Sequence, residues 1–179
     1  MTRWTSAPPP EPGPDDHVRG SGPLVIEYAD LECPFCARAH LILKQLPVRR
    51  VFRHFPVISK HPRARALAAA AEAAGLQGRF WEMHDALLED QGHLDDPHLW
   101  NRVEQLGLDI ERFTHELRKR AAAHRIADDI EGADLSSVTG TPTFFVNGRR
   151  HYGAYDVAAL SAAVRAAGAR ATLTSVEVD

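Results

Sequence analysis

Between positions 23 and 56 the chain alternates two kinds of apolar pattern. Pro23 to Ala29 (PLVIEYA) is a short, nearly continuous apolar run between Gly22 and Asp30, the pattern of a strand covered on both faces. From Cys33 to Leu46 the apolar positions Phe35, Ala39, Ile42, Leu43 and Leu46 fall at helical spacing, and Pro47 stops the helix. Val48 to Phe55 reads as a second strand closed by Pro56. A strand, a helix and a strand in this order imply parallel strands joined by a right-handed crossover.

The period then changes to helical only, from Val57 to Glu131. Segments 63–74, 80–89, 96–106, 109–117 and 118–131 are predicted helices. Gly75 and Gly107 stand at helix ends, and Asp96-Pro97 and Asp109 at helix starts. Strands return at Thr143–Val146. Asn147-Gly148 predicts a two-residue hairpin leading into 149–152, and a last amphipathic helix covers 155–167, ended by Gly168. The predicted organisation is therefore a proline-rich flexible tail at 1–20, an α/β core at 21–56 and 132–170, an all-helical insertion at 57–131, and a C-terminal tail at 171–179.

Composition narrows the function classes. With 21 Lys and Arg against 24 Asp and Glu, the net charge of −3 offers no basic footprint, and nucleic acid is not expected as a partner. No apolar run approaches a membrane span, so direct membrane insertion is not expected either. Met1–Gly20 holds Pro8, Pro9, Pro10, Pro12 and Pro14 but no apolar leader; the expected location is cytoplasmic, or periplasmic if a signal has been removed.

The 2 cysteines of the 179-residue chain sit within four residues, as Cys33-Pro34-Phe35-Cys36. Random placement gives that spacing about once in a hundred trials. Pro34 suits the first position of a helix, which makes Cys33 the N-cap. There its sulfur meets free backbone N–H groups and the positive end of the helix dipole, and both favour thiolate. Cys36 lies one turn on, within reach of Cys33, where it can resolve a mixed disulfide. A zinc site would need a second ligand pair; His40, His54 and His61 do not supply one at paired spacing, so no metal is expected. Glu27, six residues before Cys33, lies in a strand with no solvent face. It is expected to be buried, either as a proton-transfer group or as a salt-bridged structural acid. By residue statistics alone, Thr141-Pro142 would be a trans bond.

The acid-bearing strand before Cys-Pro-x-Cys, the helical insertion and the stretch Gly140-Thr-Pro-Thr-Phe-Phe-Val-Asn-Gly148 resemble the DsbA-like branch of the thioredoxin fold. So do Phe52–Pro56 and Phe80–His84. The match runs from about Asp16 to Gly168. The resemblance implies a cis Pro142 beside Cys33, a cap formed by the insertion, and Glu27 as the buried acid of a proton relay. It also implies substrate contacts at Pro34, Phe35, Thr141 and Pro142, and disulfide exchange with protein or peptide thiols. Glutathione or a thioredoxin-like donor would be the redox partner, with no cofactor beyond the Cys33–Cys36 pair. Phe35 stands where the strongest oxidants of that family carry His; it has no donor for the thiolate, so a less oxidising pair is expected. Similar domains occur attached to sodium/proton antiporters. Two other readings are a glutathione-dependent isomerase, whose relatives carry serine at the Cys33 position, and a redox-sensing module without turnover.

Overall fold

The computed structural model describes residues 7–153 and 156–176. The elements run β1 (His17–Arg19), β2 (Leu24–Ala29), α1 (Pro34–Leu43), β3 (Arg49–His54), α2 (Ala64–Gly75), α3 (Phe80–Glu89), α4 (Asp96–Gln105), α5 (Ile110–Arg118), α6 (Arg120–Leu135), β4 (Thr143–Val146), β5 (Arg149–Arg150) and α7 (Val157–Val176). The fold is an α/β thioredoxin fold with an all-helical insertion, α2 to α5 and most of α6, between its two halves.

One sheet, in the order β1-β3-β2-β4-β5, carries the architecture. β2 and β3 are parallel, as the α1 crossover requires, with Glu27 opposite Phe52. β4 runs antiparallel to β2, and β5 antiparallel to β4. Asn147 and Gly148 both take positive φ, 45° and 75°, the backbone a two-residue hairpin turn needs and the reason glycine occupies its second position.

Apolar side chains fill both faces of β2 and β3. On one face Val25, Phe144 and Val146 pack with Ala39 and Leu43 of α1 and Leu160 and Val164 of α7. On the other, Ile26, Val51 and Phe145 meet Ala133 of α6. The largest cluster joins the insertion to the start of α1: Leu67, Met83, Leu87 and Phe113 share it with Cys33 and Cys36. Each such fully buried side chain contributes about 1.5–3 kcal/mol relative to exposure. The insertion is thereby packed against the cysteine turn.

The structure departs from the sequence reading at both ends. Within the stretch read as a flexible tail, His17–Arg19 forms an edge strand antiparallel to β3. Asp16 anchors it, accepting from Arg53 Nε and Nη2 at 3.0 Å and from Arg125 at 2.8 Å. At the other end α7 does not stop at Gly168 but continues to Val176, into the segment read as a tail. Met1 to residue 6 and residues 177–179 of those two tails lie outside the described residues. Helix α1 ends at Leu43, three residues early, and α6 extends four residues beyond the predicted end, to Leu135.

Candidate active site

Cys33 follows β2 and the loop Asp30–Glu32, and it is the N-cap of α1 with extended backbone (φ −83°, ψ 120°) and Pro34 at the first helical position. Asp30 shapes this loop. Its Oδ1 accepts from the Glu32 amide at 2.8 Å, and its Oδ2 accepts from the Val57 amide and contacts His61 Nδ1, both at 2.8 Å. Its carbonyl accepts from the Cys33 amide at 3.1 Å. Glu32 ties the loop to the insertion by accepting from the Arg63 amide at 2.7 Å.

Both cysteines are free thiols. Cys33 is 2% exposed, although a strand-to-helix junction at the end of a parallel sheet is expected to lie open, whereas its neighbours Pro34 and Phe35 are exposed. Its sulfur lies 3.9 Å from the Thr141 carbonyl oxygen, which brings the Thr141–Pro142 segment beside it. The Thr141–Pro142 peptide bond is cis. Cys36 is fully buried, and its sulfur accepts from the Asp30 amide at 3.5 Å.

The two sulfurs are electrostatically unequal. Hydrogen bonding from the Cys36 thiol is the strongest influence on Cys33; burial opposes it, and the Cys36 amide, the Thr141 side chain and the Phe35 amide add to it. Together they bring the Cys33 pKa down to about 5. For Cys36, burial leads, helped by its hydrogen bond to Cys33 and the neighbouring charges of Cys33 and Glu27, and its pKa lies well above the ordinary thiol value. At neutral pH the pair is therefore one thiolate and one thiol.

Glu27 is fully buried, as a strand covered on both faces requires. Its Oε2 accepts from Arg50 Nε at 2.8 Å and lies 2.6 Å from Arg50 Nη2. Its Oε1 is buried with no hydrogen-bond partner. Arg50 in turn donates from Nη1 to His40 Nδ1 at 3.0 Å, and its Nη2 lies 3.5 Å from His84 Nε2. His40 continues to Glu89 at 2.9 Å and His84 to Asp85 at 2.7 Å, both carboxylates nearer the surface. Burial keeps His84 far below the usual imidazole pKa and lowers His40 too, so both accept from the guanidinium as neutral rings.

Sequence reasoning placed Glu27, Cys33, Cys36, Thr141 and Pro142 in a site, and the structure gathers them at the start of α1. It assigned no role there to Asp30, Arg50, His40 or His84, although His84 lies in the 80–84 stretch it singled out. A signal for Arg50 was present: Val25 faces Arg50 and Glu27 faces Phe52 across the parallel pair, so parity puts Glu27 and Arg50 on one face of the sheet. His40 and His84 carry no such signal, because the contact between α1 and α3 is tertiary.

A thiol pair at the strand-to-helix junction of this sheet, under a helical insertion, defines a protein of the thioredoxin fold. The chain belongs to the thioredoxin family, whose model matches residues 16–166. It is similar in structure to a thioredoxin-like oxidoreductase from Silicibacter pomeroyi DSS-3, with 28% identity and a TM-score of 0.77 over 87% of this chain and 93% of that one. The oxidised BdbD of Bacillus subtilis gives a TM-score of 0.74 at 21% identity, over 91% of this chain and 97% of that one, a likeness of fold alone. In sequence the chain is 54% identical over 160 residues to Na(+)/H(+) antiporter NhaA 1 of Salinispora arenicola, covering 85% of this chain and 24% of the relative. It is 42% identical over 187 residues to Na(+)/H(+) antiporter NhaA 1 of Mycolicibacterium vanbaalenii, covering 93% and 30%. The chain thus spans about a quarter to a third of the length of the curated relatives it matches. Among the described residues no helix is long and apolar enough to cross a membrane.

Proposed function

We propose that this chain is a thiol–disulfide oxidoreductase that exchanges disulfides with protein or peptide thiols through Cys33 and Cys36. One observation carries the reading: a thiol at a helix start beside a second, fully buried thiol one turn on, which lowers the pKa of the first and raises that of the second. In the reductive direction the Cys33 thiolate attacks a substrate sulfur, the substrate S–S bond breaks, and one substrate thiolate leaves and is protonated. The mixed disulfide removes the negative charge from Cys33, and with it one of the influences that kept Cys36 protonated. Cys36 then gives up its proton and attacks Cys33, the mixed disulfide breaks, and the second substrate thiol departs. Two electrons have moved, leaving a Cys33–Cys36 disulfide that a dithiol or glutathione-class donor reduces again. Oxidation of a substrate dithiol is the same sequence reversed, and the potential of the pair against its partner's decides the net direction.

Glu27 is the proton acceptor proposed for Cys36. Its unpartnered Oε1 can receive a proton, while the Arg50 pairing holds the carboxylate in place. The Thr141–Pro142 segment and the exposed Pro34 and Phe35 form the surface proposed for the substrate chain.

Reduction of insulin by dithiothreitol tests this reading. The wild-type chain is expected to accelerate the reaction, and Cys33→Ser to bring it back to the uncatalysed rate. The antiporter relatives favour a second reading, a redox-sensing module whose pair opens and closes without turnover; a wild-type rate no higher than that of Cys33→Ser would select it.

A further inference from the structure

Away from the cysteines, three side chains from three elements converge on one point. His17 lies on β1, His54 on β3 and Glu72 on α2. His17 Nε2 is 2.7 Å and His54 Nε2 is 2.8 Å from the same oxygen, Glu72 Oε1. The register that sets His17 opposite Phe52 places His54 diagonally across the same face, so the two imidazoles share it by construction.

Aromatic rings wall the apolar side of the cluster. His17 stacks on Phe80 with ring centroids 3.3 Å apart and planes 4° from parallel, and His54 meets Phe52 and Phe80 edge-on at 5.0 and 6.0 Å. Gly75 lets this stack lie against α2, since a Cβ there would come within 3.3 Å of Phe80 Cβ and 3.5 Å of His17 Cε1. The other side opens to a cavity of about 350 Å³ lined by His17 and Glu72 together with Asp15, His124 and Asp128. Arg125, the cation on that wall, is already paired with Asp16 at 2.8 Å and Asp129 at 2.7 Å.

We propose that His17, His54 and Glu72 form a binding site for a divalent ion of the zinc class. The ligands are the two Nε2 atoms and one Glu72 carboxylate oxygen, with water from the cavity in the fourth position. Two imidazoles and one carboxylate with an open position suit such an ion. Ligand atoms around a tetrahedral zinc stand about 3.3 Å apart at its usual bond lengths, so each imidazole-to-carboxylate contact lengthens by roughly half an ångström to admit it. Each imidazole binds as a neutral ligand with its proton on Nδ1, and the aromatic wall supplies the orientation that metal-bound rings need. The bound ion clasps the three-residue edge strand and α2 onto β3. No spacing motif in the sequence announces the site.

The test uses the oxidised chain, so that no thiolate competes. Calorimetric titration with zinc chloride is expected to show one ion per chain. Affinity falls at least tenfold in His17→Ala and in Glu72→Gln, each checked for native circular dichroism, and is unchanged in His98→Ala, which disrupts the exposed His93–His98 pair. On the wild-type chain, zinc shifts the ¹⁵Nε2 resonances of His17 and His54, a readout that needs no variant to fold. Absence of binding, full affinity in His17→Ala, loss in His98→Ala, or unmoved His17 and His54 resonances would each overturn the proposal.

Discussion

Replacing Cys36 with alanine removes the strongest support of the Cys33 anion while leaving the helix terminus and the Thr141 side chain in place. A hydrogen bond to a charged group contributes about 1.5–3 kcal/mol. Since one pKa unit corresponds to about 1.4 kcal/mol, the loss is worth roughly one to two units. The Cys33 midpoint therefore moves from about 5 in the reduced wild type to roughly 6–7 in Cys36→Ala. The rate of iodoacetamide alkylation against pH reads both midpoints directly. At pH 5.5 roughly three quarters of wild-type Cys33 is thiolate, against about a tenth at a midpoint of 6.5, so the rates separate most clearly there. Equal midpoints in the two proteins would refute the role given to the Cys36 thiol. A wild-type midpoint near the ordinary thiol value would refute the thiolate itself.

Three further outcomes are expected. A thiol whose folded pKa lies below its unfolded pKa binds fewer protons when folded, over the interval between them. The reduced form therefore gains stability over the oxidised form as pH rises from about 5 toward about 8.5, by about 2 kcal/mol between pH 5 and 7, and loses it as pH falls through 5; urea denaturation of both forms at the two pH values measures the difference. Glu27→Leu leaves the Arg50 charge buried without its carboxylate partner at a cost of about 3–5 kcal/mol in urea, and adding Arg50→Met recovers most of it. If Glu27 takes the Cys36 proton, that double variant still resolves mixed disulfides at least about tenfold more slowly by stopped-flow. Phe35→His, at a half-exposed position, gives the thiolate a new donor; one unit of further pKa depression would raise the potential by about 30 mV in a glutathione titration, and an unchanged potential would remove Phe35 from the account.

Much of the fold was legible because local pattern and tertiary environment agree. The parallel pair, the hairpin at Asn147-Gly148 and the insertion each follow from a change of period or a turn signal that packing does not override. The edge strand β1 was not legible. His17-Val18-Arg19 carries no apolar period, and it is held by Asp16 reaching Arg53 and Arg125, contacts of long sequence separation. Gly168 reads as a stop, yet α7 passes through it, because an isolated glycine within an alanine-rich helix costs only about 1 kcal/mol. At the site, the cysteine spacing and the first-turn proline disclosed the thiolate. The burial of Cys33 was hidden, since it depends on Thr141 and on an insertion that folds back over residues far behind it in sequence.

Division of labour between the two sulfurs is best examined by trapping. Cys36→Ser, incubated with oxidised glutathione and followed by mass spectrometry, is predicted to accumulate a glutathione adduct on Cys33 that persists, while the wild type passes rapidly through the same adduct to the Cys33–Cys36 disulfide. An adduct that never forms on Cys33, or one that lasts equally long in the wild type, would contradict the proposed exchange.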